Sequence, residues 1–412
     1  MQRSYVATES PPQVPPTNHR LTDTMEIGND LSLIAYYLPQ FHLTPQNDEW
    51  WGAGYTEWTA AAKAKPLYAG HYQPHVPADL GFYDLRVAES RIAQAELARA
   101  YGIGGFCYFH YWFGGERLLD LPFNQVLETR QPDFPFCLCW ANHDWNGAWH
   151  DQAKKILMKQ PYPGMGDHEA HFRELQRAFE DDRYIRVNGK PLFMVYHPHA
   201  IPDVVAVTDR WRELAHRAGF PGLYLVGVHH IADWAPTQFG LDAAVLDRLP
   251  ARRRHWVAPT LRALWLQTLG RRGRFPTIYD YRQEAEKLVL RRPPPFTSFP
   301  CVVPNWDNTP RYGTRGLVMH GSTPELFARQ IHRASEFLAA APDTPPIIFI
   351  KAWNEWGEGN HLEPDLLWGH AYLEATRRAL ATARASRRAM ATPAAPSVAP
   401  GLSTLSVDLT PN

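Results

Sequence analysis

Eight short apolar segments, rich in β-branched and aromatic residues, recur along the chain, and helical patterns separate several of them. The segments are almost continuously apolar, which is typical of parallel strands buried on both faces. A strand–helix order repeated eight times predicts an α/β fold, a (β/α)₈ barrel with long loop insertions at its C-terminal face. The predicted strands are Leu33–Leu38, Ile103–His110, Phe136–Trp140, Pro191–Tyr196, Leu223–Val228, Ala243–Leu246, Cys301–Val303 and Ile347–Ile350, and the clearest helices are Glu89–Tyr101, His168–Phe179, Asp209–Ala218 and Pro324–Ala341.

Polar and aromatic residues follow the C-terminal ends of these predicted strands. Barrel enzymes carry their active sites at this end, whereas a purely structural origin would scatter such residues over both ends. We therefore expect these residues to contact a substrate. The candidates from the first seven strands and the turns after them are Tyr36, His42, His110, Trp140, Asn142, Tyr196, Trp306 and Asp307.

Two glutamates, Glu355 and Glu358, follow the last predicted strand among Trp353, Asn354 and Trp356. Cleavage of a glycosidic bond needs one carboxyl group to protonate the leaving oxygen while another stays ionised. Aromatic faces bind sugar rings and exclude water, which raises the pKa of one acid. If the segment turns helically, the two Cβ atoms are about 5–6 Å apart. The alternative is a helix N-terminus whose acids complement the dipole, but the tryptophans and the preceding strand favour catalysis.

Two insertions interrupt the repeating pattern. The first, 39–85, contains Trp51, Glu57 and Trp58, and we expect it to wall the substrate cleft, with Glu57 either bonding a sugar hydroxyl or capping the loop. The second, 250–300, is basic. It could contact acidic sugars, a lipid-linked diphosphate or an anionic membrane surface, but a solvated helical insertion is the favoured alternative.

Composition narrows the class of protein. The chain has 412 residues, 45% hydrophobic and 20% charged, enough for a large core. Its formal net charge of zero gives no electrostatic basis for a nucleic-acid partner. Fifteen tryptophans and 19 histidines fit a carbohydrate cleft, although large barrels also bury many aromatic residues.

The termini and the cysteines bear on location. We expect a flexible segment over 1–30, a catalytic domain over 31–382 and a disordered tail over 383–412. A leader pattern and an 18-residue apolar run are both missing, which predicts a cytoplasmic protein without a membrane span, in peripheral membrane contact at most. The four cysteines lie in apolar segments and are expected to be small buried hydrophobes in a reducing compartment: Cys107, Cys137, Cys139 and Cys301.

Several motifs together resemble a known family. They are Tyr-Tyr-Leu-Pro-Gln-Phe-His at 36–42, Asn-Asp-Glu-Trp-Trp-Gly at 47–52, Tyr-Thr-Glu-Trp at 55–58, His-Tyr-Gln-Pro-His at 71–75 and Trp-Asn-Glu-Trp at 353–356. Over roughly 31–378 the chain resembles the WbsX proteins, which are grouped with glycosyltransferases of surface-polysaccharide loci. It is also similar, most clearly at 354–359, to glycoside hydrolase family 99, the endo-α-mannosidase type.

The resemblance to family 99 implies a (β/α)₈ barrel and retention of anomeric configuration. It implies that Glu355 deprotonates the sugar 2-hydroxyl, whose oxygen attacks the anomeric carbon, and that Glu358 protonates the leaving oxygen. The residues by themselves do not choose this route over a covalent glycosyl-enzyme. After the third strand this chain has His143-Asp144 where the family pattern has an acid and an amide, which leaves the sugar open.

Three functions are compatible with these observations, and no cofactor is expected for any of them. The first is a retaining hydrolase of α-mannoside-like bonds, acting on an oligo- or polysaccharide that could be lipid-linked. The second is a WbsX-type glycosyltransferase of O-antigen or capsule assembly, although the sequence has neither a glycine-rich nucleotide turn nor a convincing Asp-x-Asp site. The third is a non-catalytic glycan-binding protein. Metal catalysis by His197, His199, His229 and His230 is weaker, because strand-end histidines more often bond sugars.

Overall fold

Eight parallel strands close into a barrel in the computed structural model, which describes residues 25–147, 152–230, 234–250 and 275–391. Each strand pairs with the next, and β1 completes the ring by pairing with both β2 and β8. This confirms the predicted (β/α)₈ fold. The strands are β1 (Ser32–Tyr37), β2 (Gly105–Phe113), β3 (Phe136–Trp140), β4 (Lys190–Val195), β5 (Tyr224–Val228), β6 (Ala243–Leu246), β7 (Ser298–Val302) and β8 (Ile347–Ile350).

Strand boundaries differ most from the sequence prediction at β2 and β7. β2 continues to Phe113 because its last three residues also pair, antiparallel, with the short strand Glu116–Leu118. β7 begins three residues before Cys301, across Pro300, a residue type that normally argues against a central strand. β3, β6 and β8 have the predicted bounds.

Helices follow the strands around the outside of the barrel. Side-chain hydrogen bonds cap the N-termini of some helices. The Thr44 hydroxyl accepts a hydrogen bond from the Asn47 amide at 3.1 Å, and the Thr323 hydroxyl accepts one from the Leu326 amide at 3.3 Å. The helices are α1 (Pro45–Trp51), α2 (Glu57–Lys63), α3 (Ala88–Ala100), α4 (Leu121–Thr129), α5 (Met165–Phe179), α6 (Val204–Arg217), α7 (Tyr281–Leu288), α8 (Thr309–Tyr312), α9 (Pro324–Ala339) and α10 (Ala371–Ala391).

Small elements complete the described residues. They are the strands Trp145–Gly147, Gln152–Met158, Arg186–Val187, Thr277–Asp280, Leu317–His320, Asn354–Glu355 and Asn360–His361, and the 3₁₀ turns Pro198–Ala200, Pro236–Phe239, Gly313–Arg315 and Trp356–Glu358. None of the described helices is both long enough and apolar enough to cross a bilayer.

The expected domain limits shift at both ends. Helix α10 runs nine residues past 382, where a disordered tail was predicted, because Ala383 is buried and the Arg384 guanidinium bonds the Leu31 carbonyl at 2.8 Å. At the other end, the amide of Met25 bonds the Asp182 carbonyl at 2.8 Å. Residues 25–30 are thus partly tied to the barrel, whereas 1–24 and 392–412 lie outside the described residues. The same holds for 251–274 of the basic insertion.

The barrel interior is apolar and aromatic. The Tyr36 ring stacks on Phe109 with centroids 5.5 Å apart, and Phe349 packs against the same tyrosine. All four cysteines are buried and free, as predicted. Burial of each large side chain in such a core contributes about 1.5–3 kcal/mol, which fixes the strand ends that carry the polar residues.

Candidate active site

A cavity of about 250 Å³ opens at the C-terminal ends of the barrel strands. Residues from the ends of six strands, β1 to β4, β7 and β8, and from the long loops after β1 and β3 contribute to it. Its lining residues are Leu38, Gln40, Trp51, Phe109, Tyr111, Ala141, His143, Asp144, Trp145, Asn146, Leu157, Tyr196, His197, Trp306, Arg311, Tyr312, Lys351, Glu355 and Glu358. The predicted glutamate pair therefore faces one shared cavity, together with the predicted contacts Trp51, Tyr196 and Trp306.

A tight turn after β8 places the two glutamates. Asn354–Glu355 pair antiparallel with Asn360–His361, and a 3₁₀ turn, Trp356–Glu358, joins them. The predicted helical turn is thus a single 3₁₀ turn. Gly359 closes it at a φ of 53°, where a Cβ atom would also lie 3.0 Å from the Cβ of Asp307. Only glycine adopts this conformation without strain beside a neighbour so close.

One guanidinium, that of Arg311 in α8, links the pair. It lies 2.9 Å from a Glu355 oxygen and 2.7 Å from a Glu358 oxygen. It also contacts Glu57 at 2.6 Å. Since Arg311 and Glu57 are buried, this cation fixes the position of three carboxyl groups in a low-dielectric setting.

Glu57 is wholly buried beneath the cavity instead of contacting it. A Cβ atom at Gly357 would lie 1.8 Å from a Glu57 carboxyl oxygen, so the turn approaches this side chain as closely as glycine permits. Burial raises the pKa of Glu57, with Arg311 opposing the rise. The prediction that Glu57 bonds a sugar is therefore corrected: it supports Arg311 and the turn.

The electrostatics of the site favour a proton on Glu355. Burial raises the pKa of its carboxyl group to about 8, Arg311 opposes the rise, and the nearby Glu358 and Glu57 carboxyl groups add to it. The side chain is only 8% exposed, so water screens little of this effect. A carboxyl group that titrates in this range can exchange protons near neutral pH.

A second charged group forms another part of the cavity wall. The Lys351 ammonium lies 2.5 Å from Asp247 and 3.2 Å from the Tyr196 hydroxyl. It also lies 5.3 Å from the centre of the Trp306 ring. Burial works against the ammonium, but Asp247 outweighs it and the pKa of Lys351 is raised. This wall offers both a cation and aromatic faces.

Histidines line the cavity near this wall. Burial lowers the pKa of His143 to about 4 and that of His197 to about 3. Both rings are therefore neutral at physiological pH. They can donate and accept hydrogen bonds, as sugar hydroxyl groups require.

Several predicted contacts lie behind the cavity instead of lining it. His42 bonds the Pro39 carbonyl, and His110 lies 2.9 Å from His171. The Trp58 indole bonds the Tyr83 carbonyl, and that of Trp140 bonds the Trp112 carbonyl. Asn142 bonds both the amide and the carbonyl of His197 and so places that ring. These five residues were predicted to contact a sugar. Their polar atoms are bonded to other parts of the protein instead, so we correct their role to support of the residues around the cavity.

The remaining predicted contacts brace the turn or the core. The Asn354 side chain bonds both the amide and the carbonyl of Leu38 and ties the turn to β1. The Asp307 amide bonds the Glu358 carbonyl at 2.7 Å, while its carboxylate accepts from Gln73. Trp353, Trp356 and Tyr36 are each at most 1% exposed, so they too are corrected from sugar contacts to packing residues.

Sequence reasoning missed Arg311, Lys351 and Asp247. Lys351 opens the motif that carries the glutamates, so its place beside them was a usable signal. Arg311 follows β7 by nine residues, and an arginine after a barrel strand could have been paired with the acids. Asp247 directly follows β6.

The chain matches known sequences over most of its length. A family model described as "Glycosyltransferase WbsX" matches residues 33–376. The uncharacterized protein WxcX of Xanthomonas campestris pv. campestris, from strains B100 and ATCC 33913, is 38% identical over 353 residues. That match covers 85% of this chain and 50% of the relative, so the chain spans about half the length of the curated relatives it matches.

Solved structures share the fold. The GH99 endo-alpha-mannosidase from Bacteroides thetaiotaomicron aligns with a TM-score of 0.52 at 15% identity, covering 86% of this chain and 98% of that one. A "glycoside hydrolase-like protein" aligns with a TM-score of 0.52 at 14% identity, covering 88% and 97%. At these identities the likeness is one of fold.

Proposed function

The chain belongs to the WbsX glycosyltransferase family, and from that premise we propose that it cleaves glycosidic bonds of an oligo- or polysaccharide. Glu355 and Glu358 are its proposed catalytic pair. The favoured reaction is retaining hydrolysis of an α-mannoside-like bond, a linkage suggested by the endo-alpha-mannosidase that shares the fold.

One observation carries the proposal: two carboxyl groups face the same cavity and share one buried guanidinium. Glu169 and Glu213 also share one arginine, Arg210, but they are more exposed and lie outside this cavity. Three acidic groups around one cation leave excess negative charge, which favours retention of a proton in the site. General acid–base catalysis needs one protonated and one ionised group side by side.

The proposed first step moves two protons and starts with the single proton of the pair on Glu358, the reverse of the resting state, in which the electrostatics favour it on Glu355. Ionised Glu355 takes the proton of the sugar 2-hydroxyl, and the 2-oxygen attacks the anomeric carbon. Protonated Glu358 gives its proton to the glycosidic oxygen as the bond from the anomeric carbon breaks, which leaves an anhydro sugar. In the second step Glu358 takes a proton from water, the oxygen of that water bonds the anomeric carbon, and Glu355 returns a proton to the 2-oxygen. Two inversions give net retention.

The raised pKa of Glu355 suits this role. A sugar hydroxyl is a weak acid, so a carboxylate that is more basic than usual removes its proton more readily. Arg311 keeps the carboxylate positioned in line with the sugar. The aromatic faces of Trp306 and Tyr196 would bind the apolar faces of the rings, and Lys351 would bond a hydroxyl or an anionic substituent.

Glycosyl transfer is the second candidate, favoured by the description of the family model. The same anhydro intermediate can be opened by a sugar hydroxyl instead of water, and Glu358 would then deprotonate that acceptor. Hydrolysis and transfer therefore need the same two carboxyl groups and differ in which acceptor reaches the cavity.

The test is a screen of α-mannosides and bacterial surface glycans with the purified protein. We expect new reducing ends, and the first product observed by proton NMR should keep the anomeric configuration of the substrate. An inverted first product would contradict the retaining route. Label moving from a nucleotide or lipid-linked sugar to an acceptor, without reducing ends, would favour transfer. Binding without turnover would favour a glycan-binding protein.

A further inference from the structure

Three buried side chains converge behind the catalytic turn, the segment 354–361 that carries Glu355 and Glu358. A nitrogen of His75, a nitrogen of His361 and a carboxylate oxygen of Asp365 all lie within 4.8 Å of one another. They form the one group of three or more potential metal ligands found in the part of the chain that the structure describes. The histidine pairs at 197/199 and 229/230, the sequence-based alternative, do not form such a group there.

Hydrogen bonding fixes the tautomer of His361. Its Nδ1 lies 2.9 Å from the Glu363 carbonyl oxygen, which can only accept, so Nδ1 carries the proton. The lone pair of Nε2 therefore points at Nδ1 of His75, 2.8 Å away, and at the Asp365 carboxylate, 3.8 Å away. A metal-ligating histidine usually donates the N–H of one ring nitrogen to a backbone carbonyl and binds the metal through the other nitrogen.

Backbone amides orient the carboxylate in a similar way. One Asp365 oxygen accepts the amides of Leu367 and Trp368 at 2.9 and 2.7 Å. The other oxygen faces His361, with the Nε2 atom 3.8 Å away. A cavity of about 20 Å³ adjoins the three side chains, about the space that a single water or ion needs.

The group connects two loops that shape the catalytic site. His75 belongs to the first insertion, while His361 and Asp365 follow β8. Backbone bonds already join these loops, from the Leu366 amide to the Val76 carbonyl and from the Ala78 amide to the Pro364 carbonyl, both at 2.9 Å. The His361 ring also stacks on Trp356, with centroids 3.7 Å apart. Trp356 lies between the two proposed catalytic glutamates in the sequence.

We propose that His75, His361 and Asp365 bind one divalent transition-metal cation of the zinc type. Two neutral imidazoles and one carboxylate are a common zinc ligand set. Tetrahedral bonds of 2.0–2.1 Å place two nitrogen ligands about 3.3 Å apart, so the rings would separate by about 0.5 Å. The proton between them would move to Nε2 of His75, which keeps both rings neutral. The ion would tie the insertion to the catalytic turn, a role beyond the proposed reaction.

Metal binding by the whole, untagged protein is the test. After removal of metals with a chelator, the protein is titrated with Co²⁺, whose visible absorption reports nitrogen and oxygen ligation. We expect saturation at about one ion per chain and a rise in Tm of about 2–5 °C. Addition of Zn²⁺ should displace Co²⁺ and abolish the absorption.

Variants distinguish this site from others. Asp365→Asn keeps an oxygen for the two backbone amides but loses the anionic ligand, and it should weaken Co²⁺ binding at least about tenfold. His216→Gln, on the exposed end of α6, and His197→Gln, in the other histidine group, should bind Co²⁺ as the unmodified protein does. A protein without saturable binding, or one whose binding is lost in His197→Gln and kept in Asp365→Asn, would overturn the assignment.

Discussion

Replacing Glu355 by glutamine should stabilise the folded protein as the pH rises. The folded protein keeps a proton on this carboxyl up to a pH of about 8, whereas the ordinary pKa, expected in the unfolded chain, is 4.5. Between these values the folded state binds one more proton, so raising the pH favours unfolding. Glutamine resembles the protonated carboxyl. The two proteins should therefore be equally stable below about pH 4.5 and diverge above it.

The size of the effect follows from the gap between the two pKa values. Each pH unit corresponds to about 1.4 kcal/mol, so the gap from 4.5 to about 8 corresponds to about 5 kcal/mol at most. The full difference is reached above about pH 8, where both states of the unmodified protein are ionised. Burial of the side chain, 8% exposed, justifies a value this large.

Denaturant unfolding followed by tryptophan fluorescence measures this difference at several pH values. The free energy of unfolding of the variant, relative to the unmodified protein, should increase by roughly 1 kcal/mol per pH unit between about pH 5 and pH 8. Glu336→Gln, on an exposed position of α9, controls for the loss of one formal charge. A difference that does not change with pH, or that reverses sign, would refute the reasoning.

Three further predictions concern the same site. Because the reaction needs one ionised and one protonated carboxyl group, kcat/KM should fall about tenfold per pH unit above about pH 8, where the pair loses its last proton, and a rate that keeps rising above pH 8 would contradict the acid–base pair. Arg311→Met leaves three acidic groups without their cation and should lower the free energy of unfolding by about 3–5 kcal/mol. A decrease of less than about 1 kcal/mol would contradict this prediction. Gly357→Ala should destabilise the protein by about 1–3 kcal/mol and abolish most turnover, because its Cβ would meet Glu57. Gly166→Ala in α5, whose Cβ meets open space, is the matched control and should leave turnover unchanged.

The barrel was predictable because its strands are signalled locally. Buried parallel strands such as Phe136–Trp140 and Ile347–Ile350 are apolar on both faces, so the pattern survives without knowledge of the partners. The position of the glutamate pair at one cavity was predictable for a similar reason, since its spacing and its aromatic neighbours lie within one short motif.

Direction of side chains was not predictable from the same motif. Trp356 stacks on His361 and bonds Glu363 instead of facing a sugar, because the 3₁₀ turn, with three residues per turn, points successive side chains in different directions. Arg311 was missed because its importance depends on ion pairs with residues 254 and 44 positions away. Long-range partners of this kind leave no periodic signal along the chain.

The most direct test of the account is turnover of one glycan substrate by Glu355→Gln and Glu358→Gln, with Glu336→Gln as the control. We predict that each site variant loses about 10²–10⁴-fold in rate while the control keeps it. Turnover by Glu358→Gln at the rate of the unmodified protein would contradict the claim that this carboxyl pair carries the chemistry.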